Sequence, residues 1–233
     1  MASTRTPPPP TTLGHLLVPF TPYALVAAVH VISLTAGASA VAAPTKLLLM
    51  PLLAVGVAWA LRGALARTPV ILLLTALGLS WLGDGAGTFF PFAPTVPMML
   101  LCFGLAHVAY IVLFWRLLSR NPVPPWAVVY ALWWGVLLAT LWPHLGALLL
   151  PVAVYGLVLG GTAIAASRAG AMIAVGGAFF LASDSILAFD LFWPGAPTAV
   201  TGPLVMLTYT IGQGLIALGV VRSLTSGARG GRR

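Results

Sequence analysis

Ala178-Phe-Phe-Leu-Ala-Ser-Asp-Ser-Ile-Leu-Ala-Phe-Asp190 is an apolar run with a carboxylate, Asp184, near its middle. An ionisable side chain held in hydrocarbon costs at least ~2.5–3.5 kcal/mol, so a functional role is the first reading of such a residue. Whether this run lies in hydrocarbon or in the core of a soluble domain is decided by the rest of the chain. Of 233 residues, 60% are hydrophobic and 6% are charged, and the mean hydropathy is +1.05. A soluble globular domain carries about 25% charged residues. The composition therefore requires a polytopic membrane protein, and Asp184 is an intramembrane carboxylate. The chain has three acidic residues in all: Asp84, Asp184 and Asp190. Asp84 also sits inside a run long enough to cross a bilayer. Asp190, six residues beyond Asp184 and on another helical face, reads as interfacial.

Outward from this run the chain divides into eight apolar stretches, roughly 20–40, 45–61, 69–90, 96–118, 124–141, 144–166, 171–191 and 200–222. Each is near the ~20 residues that a spanning helix needs. Pro, Gly and Arg mark most of the breaks. No stretch alternates apolar and polar residues, so the fold class is all-α: a transmembrane bundle of eight helices, with residues 20–222 as one domain. Residues 1–19, with the run Pro7–Pro10, read as a disordered tail, and residues 223–233 as a basic cytoplasmic tail. The first stretch ends in Ala38-Ser39-Ala40, which resembles a signal-peptide cleavage site, but the internal repeat described below needs this segment as a helix.

The formal charge of +8 carries no nucleic-acid signal, because the basic residues are scattered singly between apolar runs. They do set orientation. With both termini cytoplasmic, Arg5, Arg62, Arg67, Arg116, Arg120, Arg168, Arg222, Arg229, Arg232 and Arg233 all fall inside, and of the Lys and Arg residues only Lys46 falls outside. A bacterial inner membrane is the expected location. Cys102, the single cysteine, lies in an apolar run and reads as a buried, inert thiol.

Asp84 and Asp184 are 100 residues apart, in the third and seventh stretches, and each is followed by a break and then a helix bearing a tyrosine, Tyr110 or Tyr209. This echo suggests two four-helix halves in parallel repeat. At 1.5 Å per residue, Asp84 lies ~22 Å and Asp184 ~20 Å from the inner ends of their helices, and His107 and Tyr209 come in ~15 Å from the outer side. All four reach one layer, and Lys46 begins the second helix close to it. Ser80 with Asp84, His107 with Tyr110, and Tyr209 with Gln213 are spaced i,i+3 or i,i+4, so each pair shares a helical face. Asp84 and Asp184 are the candidate catalytic pair. Lys46, His107, Tyr110, Tyr209 and Gln213 are the candidate substrate contacts, although His107 serves equally well as an interhelical hydrogen bonder and residues such as Tyr209 and Gln213 more often hold helices together than form a site.

Two carboxylates sharing a low-dielectric layer can divide the work of acid and base. They can equally relay protons or hold a cation in a transporter. No H-E-x-x-H, Cys/His metal spacing or G-x-S-x-G elbow occurs, and neither metal nor cofactor is expected.

Five pieces of the chain, in order, resemble the YhhN family of eight-helix membrane proteins, which includes the lysoplasmalogenases. They are Thr45-Lys-Leu-Leu-Leu-Met-Pro51, Ser80-Trp-Leu-Gly-Asp84, Gly104-Leu-Ala-His-Val-Ala-Tyr110, Gly177-Ala-Phe-Phe-Leu-Ala-Ser-Asp184 and Tyr209-Thr-Ile-Gly-Gln213. The resemblance implies hydrolysis of the vinyl ether bond of lysoplasmalogens to a fatty aldehyde and a glycerophospho-headgroup, with Asp84 and Asp184 as the catalytic pair. The partner it implies is a lysophospholipid in the bilayer. The chain departs from the family pattern at Leu47, where Pro is usual, and at Gly85-Ala86-Gly87, where bulky apolar residues are usual. The alternative is a lipid or proton-coupled transporter that uses the same pair.

Overall fold

A computed structural model describes residue 14, residues 17–119 and residues 121–230, with side chains as far as Ser226. The run Pro7–Pro10 and the residues Arg5, Arg120, Arg232 and Arg233 lie outside the described residues, as does the side chain of Arg229. Among the described residues the chain is helical, with no strand. Eight long helices form: α1 (Thr21–Thr35), α2 (Ser39–Ala60), α3 (Thr68–Asp84), α4 (Thr95–Val112), α5 (Val128–Leu145), α6 (Leu149–Arg168), α7 (Ala171–Phe192) and α8 (Thr198–Gly230).

Six stretches are long and apolar enough to cross a membrane. One of them, Pro125–Arg168, turns back on itself at Gly146, whose φ of 50° is open to a residue without Cβ, and so supplies both α5 and α6. The apolar α3, at 17 residues, falls just short of the usual length. The chain is a multi-pass membrane protein.

Consecutive helices pair as antiparallel hairpins, α1 with α2, α3 with α4, α5 with α6 and α7 with α8. Their turns lie at one end of the bundle, the hairpin end. The start of α1, the end of α8 and the remaining loops lie at the other, the termini end, together with Arg62, Arg67, Arg116, Arg168 and Arg222. Packing repeats itself between the halves. The contacts α1–α2, α2–α3 and α3–α4 recur as α5–α6, α6–α7 and α7–α8, and the cross-contact α4–α6 is answered by α8–α2. The halves differ in how the first helix of each packs: α1 lies on α8, whereas α5 stands off from α4 and touches α7.

In lipid, apolar surface gains little by leaving the solvent, so helices associate through close packing and hydrogen bonds between them. The α7–α8 hairpin shows why small residues are placed where they are. A Cβ on Gly212 would lie 2.9 Å from the Phe180 backbone nitrogen and 3.0 Å from the Gly176 carbonyl oxygen. The two backbones touch there, and only glycine leaves room. Toward the termini end the bundle is filled by Leu53, Val57, Leu73, Leu77, Leu113, Phe114, Ile216 and Val220, all buried.

Three expected boundaries are corrected. The third helix does not run on to residue 90: it stops at Asp84, and after Gly85 a separate single turn, Ala86–Phe89, begins. Gly85 has no room for a side chain, because a Cβ would lie 2.3 Å from the Phe89 ring, and Phe89 folds back on Trp81 at 4.7 Å between centroids. Second, the first helix ends at Thr35 and α2 begins at Ser39, not near residue 45, so Pro44 lies inside the helix and Lys46 sits two turns into it. Third, the fifth helix runs through Pro143 to Leu145, and α6 starts at Leu149.

Candidate functional site

The polar residues of the bundle gather in one layer where α2, α3, α4, α6, α7 and α8 meet. Asp84 is the last residue of α3 and is partly exposed. Its Oδ2 accepts a hydrogen bond of 2.8 Å from the Tyr209 hydroxyl on α8. One turn below, Gln213 Nε2 donates to Ser80 Oγ at 3.2 Å. The i,i+4 faces of α3 and α8 are therefore bridged by two rungs. The lower rung is extended to α4 by Tyr110, whose hydroxyl donates to Gln213 Oε1 at 2.6 Å. Lys46, from α2, lies within electrostatic reach of Asp84, although no nitrogen of it comes within 4 Å of a carboxylate oxygen.

Asp184, two-thirds of the way along α7, has a side chain 9% exposed. Its Oδ2 accepts a short hydrogen bond from the Tyr155 hydroxyl on α6. His107 Nε2, on α4, lies 3.7 Å from the same oxygen, too far for a hydrogen bond. His107 is fully buried and neither ring nitrogen has a protein partner. Its own backbone carbonyl is met by Thr162 Oγ1 at 3.3 Å, which ties α4 to α6. A buried imidazole without a protein partner beside a carboxylate costs stability and calls for an explanation. The two carboxylates are within electrostatic reach of each other. Between them stands a pair of rings: Phe180 lies 4.6 Å from His107 and 5.4 Å from Tyr209, and Phe103 lies 6.0 Å from Tyr209.

The internal repeat is carried into these contacts. Tyr209, on the fourth helix of the second half, reaches the carboxylate of the first. His107, on the fourth helix of the first half, reaches the carboxylate of the second. In the same way Lys46 on α2 and Tyr155 on the corresponding α6 each serve the carboxylate of their own half.

A narrow apolar pocket of about 40 Å³ lies where α5 stands off from α4. Met99, Leu100, Leu137, Val152, Leu187 and Leu191 are among the residues that line it, and Asp184 is the acidic residue in its wall. Asp84 is not part of this wall. Phe103 separates the two, lining the pocket on one side and lying against Gly83 on the other, where a Cβ would come within 2.6 Å of the Phe103 ring.

Of the residues expected at the site, Asp84, Asp184, Lys46, His107 and Tyr209 are brought together around the carboxylates. Tyr110 and Gln213 are fully buried and spend their polar groups on each other and on Ser80. Tyr155 escaped the sequence reading, since a tyrosine in an apolar run looks like packing. The available signal was its place in the sixth helix, which the repeat makes equivalent to the helix of Lys46. Asp190, read as interfacial, accepts a hydrogen bond from Thr201 at the α7–α8 turn. Among the described residues no three His, Cys, Asp or Glu side chains are disposed to hold a metal ion.

The chain belongs to the YhhN family, whose model matches residues 41–220. No curated protein and no solved structure matches it.

Proposed function

We propose that this YhhN-family protein is an intramembrane hydrolase that cleaves the vinyl ether bond of lysoplasmalogen-type lipids, with Asp84 and Asp184 as its acid and base. The observation that carries the reading is a pair of carboxylates within the bundle, each held by a tyrosine hydroxyl, one of them in the wall of an apolar pocket. The pocket is apolar apart from Asp184, the Tyr155 hydroxyl that bonds it and the Trp133 indole, whose N–H is taken by Ser185. Lys46, on the far side of Asp84, offers a phosphate a point charge. Both termini are then cytoplasmic in a bacterial inner membrane, in keeping with the arginines gathered at the termini end.

The chemistry needs no group beyond these. A carboxylic acid protonates the chain-side carbon of the double bond. The positive charge this creates, shared between the neighbouring carbon and the ether oxygen, is an oxocarbenium ion, and an anionic carboxylate nearby stabilises it. Water adds to that carbon and gives its proton to the carboxylate. The hemiacetal then loses the glycerol oxygen as an alcohol and leaves the aldehyde, and the two carboxyl groups return to their starting states.

A transport role for the same pair finds less support. It requires a passage past the polar layer toward the termini end, where Leu53, Val57, Leu73, Leu77, Phe114, Ile216 and Val220 fill the bundle. The test is aldehyde release by purified protein from an alkenyl lysophospholipid with a choline or ethanolamine headgroup. Asp84→Asn and Asp184→Asn, which keep the shape and bury no new charge, should each lower turnover roughly 10²-fold or more. Movement of intact lipid across vesicles without aldehyde would replace hydrolysis by transport.

A further inference from the structure

The two half-sites share one plan, so their common features cannot tell the carboxylates apart. Each accepts a hydrogen bond from a tyrosine hydroxyl, Asp84 from Tyr209 and Asp184 from Tyr155. Two features do break the symmetry. First, the pocket left by α5 opens on Asp184 and not on Asp84. Second, α2, which carries Lys46, packs on α1, α3 and α8, so this cation lies on the side of Asp84, away from the pocket. Along the molecule the order is therefore apolar pocket, Asp184, the rings of Phe103 and Phe180, Asp84, Lys46.

An alkenyl lysophospholipid has its own fixed order: hydrocarbon chain, the carbon that takes the proton, the carbon that takes water, ether oxygen, glycerol, phosphate. The two sequences of groups align in one direction only. With the chain in the pocket and the phosphate toward Lys46, the protonated carbon falls on the Asp184 side. The carbon attacked by water falls on the Asp84 side.

We propose that Asp184 is the acid that protonates the vinyl carbon and that Asp84 is the base that activates water, the lipid lying chain-first in the pocket of α4, α5, α6 and α7. The assignment rests on the hydrolase reading and adds to it a role for each carboxylate and a direction for the substrate. In the first step the proton leaves Asp184, the double-bond electrons form the new C–H bond, and the ether oxygen shares the resulting charge. In the second, a water oxygen bonds to the charged carbon while Asp84 takes its proton. When the hemiacetal collapses, the hydroxyl proton and the proton on Asp84 are redistributed to the departing glycerol oxygen and to Asp184, so the carboxyls end as they began. His107, unpaired 3.7 Å from Asp184, is placed to pass a proton back to it.

The roles can be separated by entering the reaction after the first step. A mixed acetal of the same chain and headgroup, with 4-nitrophenoxide on the acetal carbon, reaches the same oxocarbenium ion by losing nitrophenoxide. That anion leaves without a proton, and no carbon is protonated. Purified Asp184→Asn should lose roughly 10²-fold or more in kcat/KM on the vinyl ether while acetal turnover stays within about threefold of the parent. Asp84→Asn should lose activity on both substrates. Thermal unfolding in detergent, with midpoints close to the parent's, confirms that each variant is folded. The reverse pattern, or an Asp184→Asn variant equally impaired on both substrates, overturns the assignment. A parent protein that turns over the acetal but not the vinyl ether removes the hydrolase reading itself. A parent that turns over neither removes both.

Discussion

Removing the hydroxyl of Tyr209, and nothing else, tests whether Asp84 works as it is held. Tyr209→Phe keeps the ring, which lies 5.4 Å from Phe180 and 6.0 Å from Phe103, so the aromatic packing survives. What is lost is the 2.8 Å bond from the phenol to Asp84 Oδ2. Between helices in a membrane such a bond contributes on average ~0.6 kcal/mol and at most ~1.7 to stability. The unfolding midpoint should therefore fall only slightly. The effect on catalysis should be larger, because a hydrogen bond to a charged group contributes about 1.5–3 kcal/mol, and one decade of rate corresponds to ~1.4 kcal/mol. If the bond orients Asp84 for the reaction, kcat/KM should fall by roughly 10-fold to 150-fold, mostly through kcat. Tyr209→Ala would not separate these effects, since emptying the ring site costs several kcal/mol by itself. The assay is aldehyde release from an alkenyl lysophospholipid, with thermal unfolding in the same detergent. A Tyr209→Phe protein with unchanged kcat and KM would refute the reasoning, because it would show that the orientation of Asp84 is immaterial.

Lys46→Met should raise KM for a phosphate-bearing substrate more than it lowers kcat, since ground-state and transition-state binding are lost together; Lys46→Arg, which keeps the charge in a planar fork, should recover part of the loss. Unchanged KM in Lys46→Met would mark a lysine that only extends toward the interface. Gly212→Val, which drives a side chain into the backbone of α7, should cost more than the ~1–3 kcal/mol of ordinary overpacking and lower the unfolding midpoint or yield; a fully stable variant would mean that the α7–α8 contact is looser than drawn. Reporter fusions after the C-terminus and in the α2–α3 loop near Arg62 should both report the cytoplasmic side. A fusion reporting the opposite side would invert the bundle.

Both carboxylates and Lys46 were legible in the sequence for one physical reason. An ionisable group inside an apolar run is expensive, and so few are present that each one asks for an explanation. The faces Ser80 with Asp84 and Tyr209 with Gln213 were legible from helical spacing, and the two faces bond to each other. Tyr155 was not, because an aromatic ring in an apolar helix meets the needs of packing without its hydroxyl. Nor was the break after Asp84: hydropathy continues through Phe89, and what ends α3 is the need to tuck the Phe89 ring against Gly85 and Trp81. The start of α2 was placed too late for a related reason. Pro44 reads as a boundary, but the tertiary packing carries the helix through it. The pocket beside Asp184 could not be read at all, because it arises from a distance between helices that no local pattern records.

The exchange of partners between the halves has a consequence for how such a site can arise. Four crossings return a chain to the side from which it started, so a second four-helix unit inserts in the same direction as the first and meets it face to face, as one copy meets another in a symmetric dimer. In such a dimer both acids would sit in identical surroundings and neither could specialise. Joined in one polypeptide, the units are free to diverge, one carrying a lysine on its second helix and the other letting a helix stand away. A symmetric receptor becomes a polarised one, with a head and a tail matched to a molecule that has both.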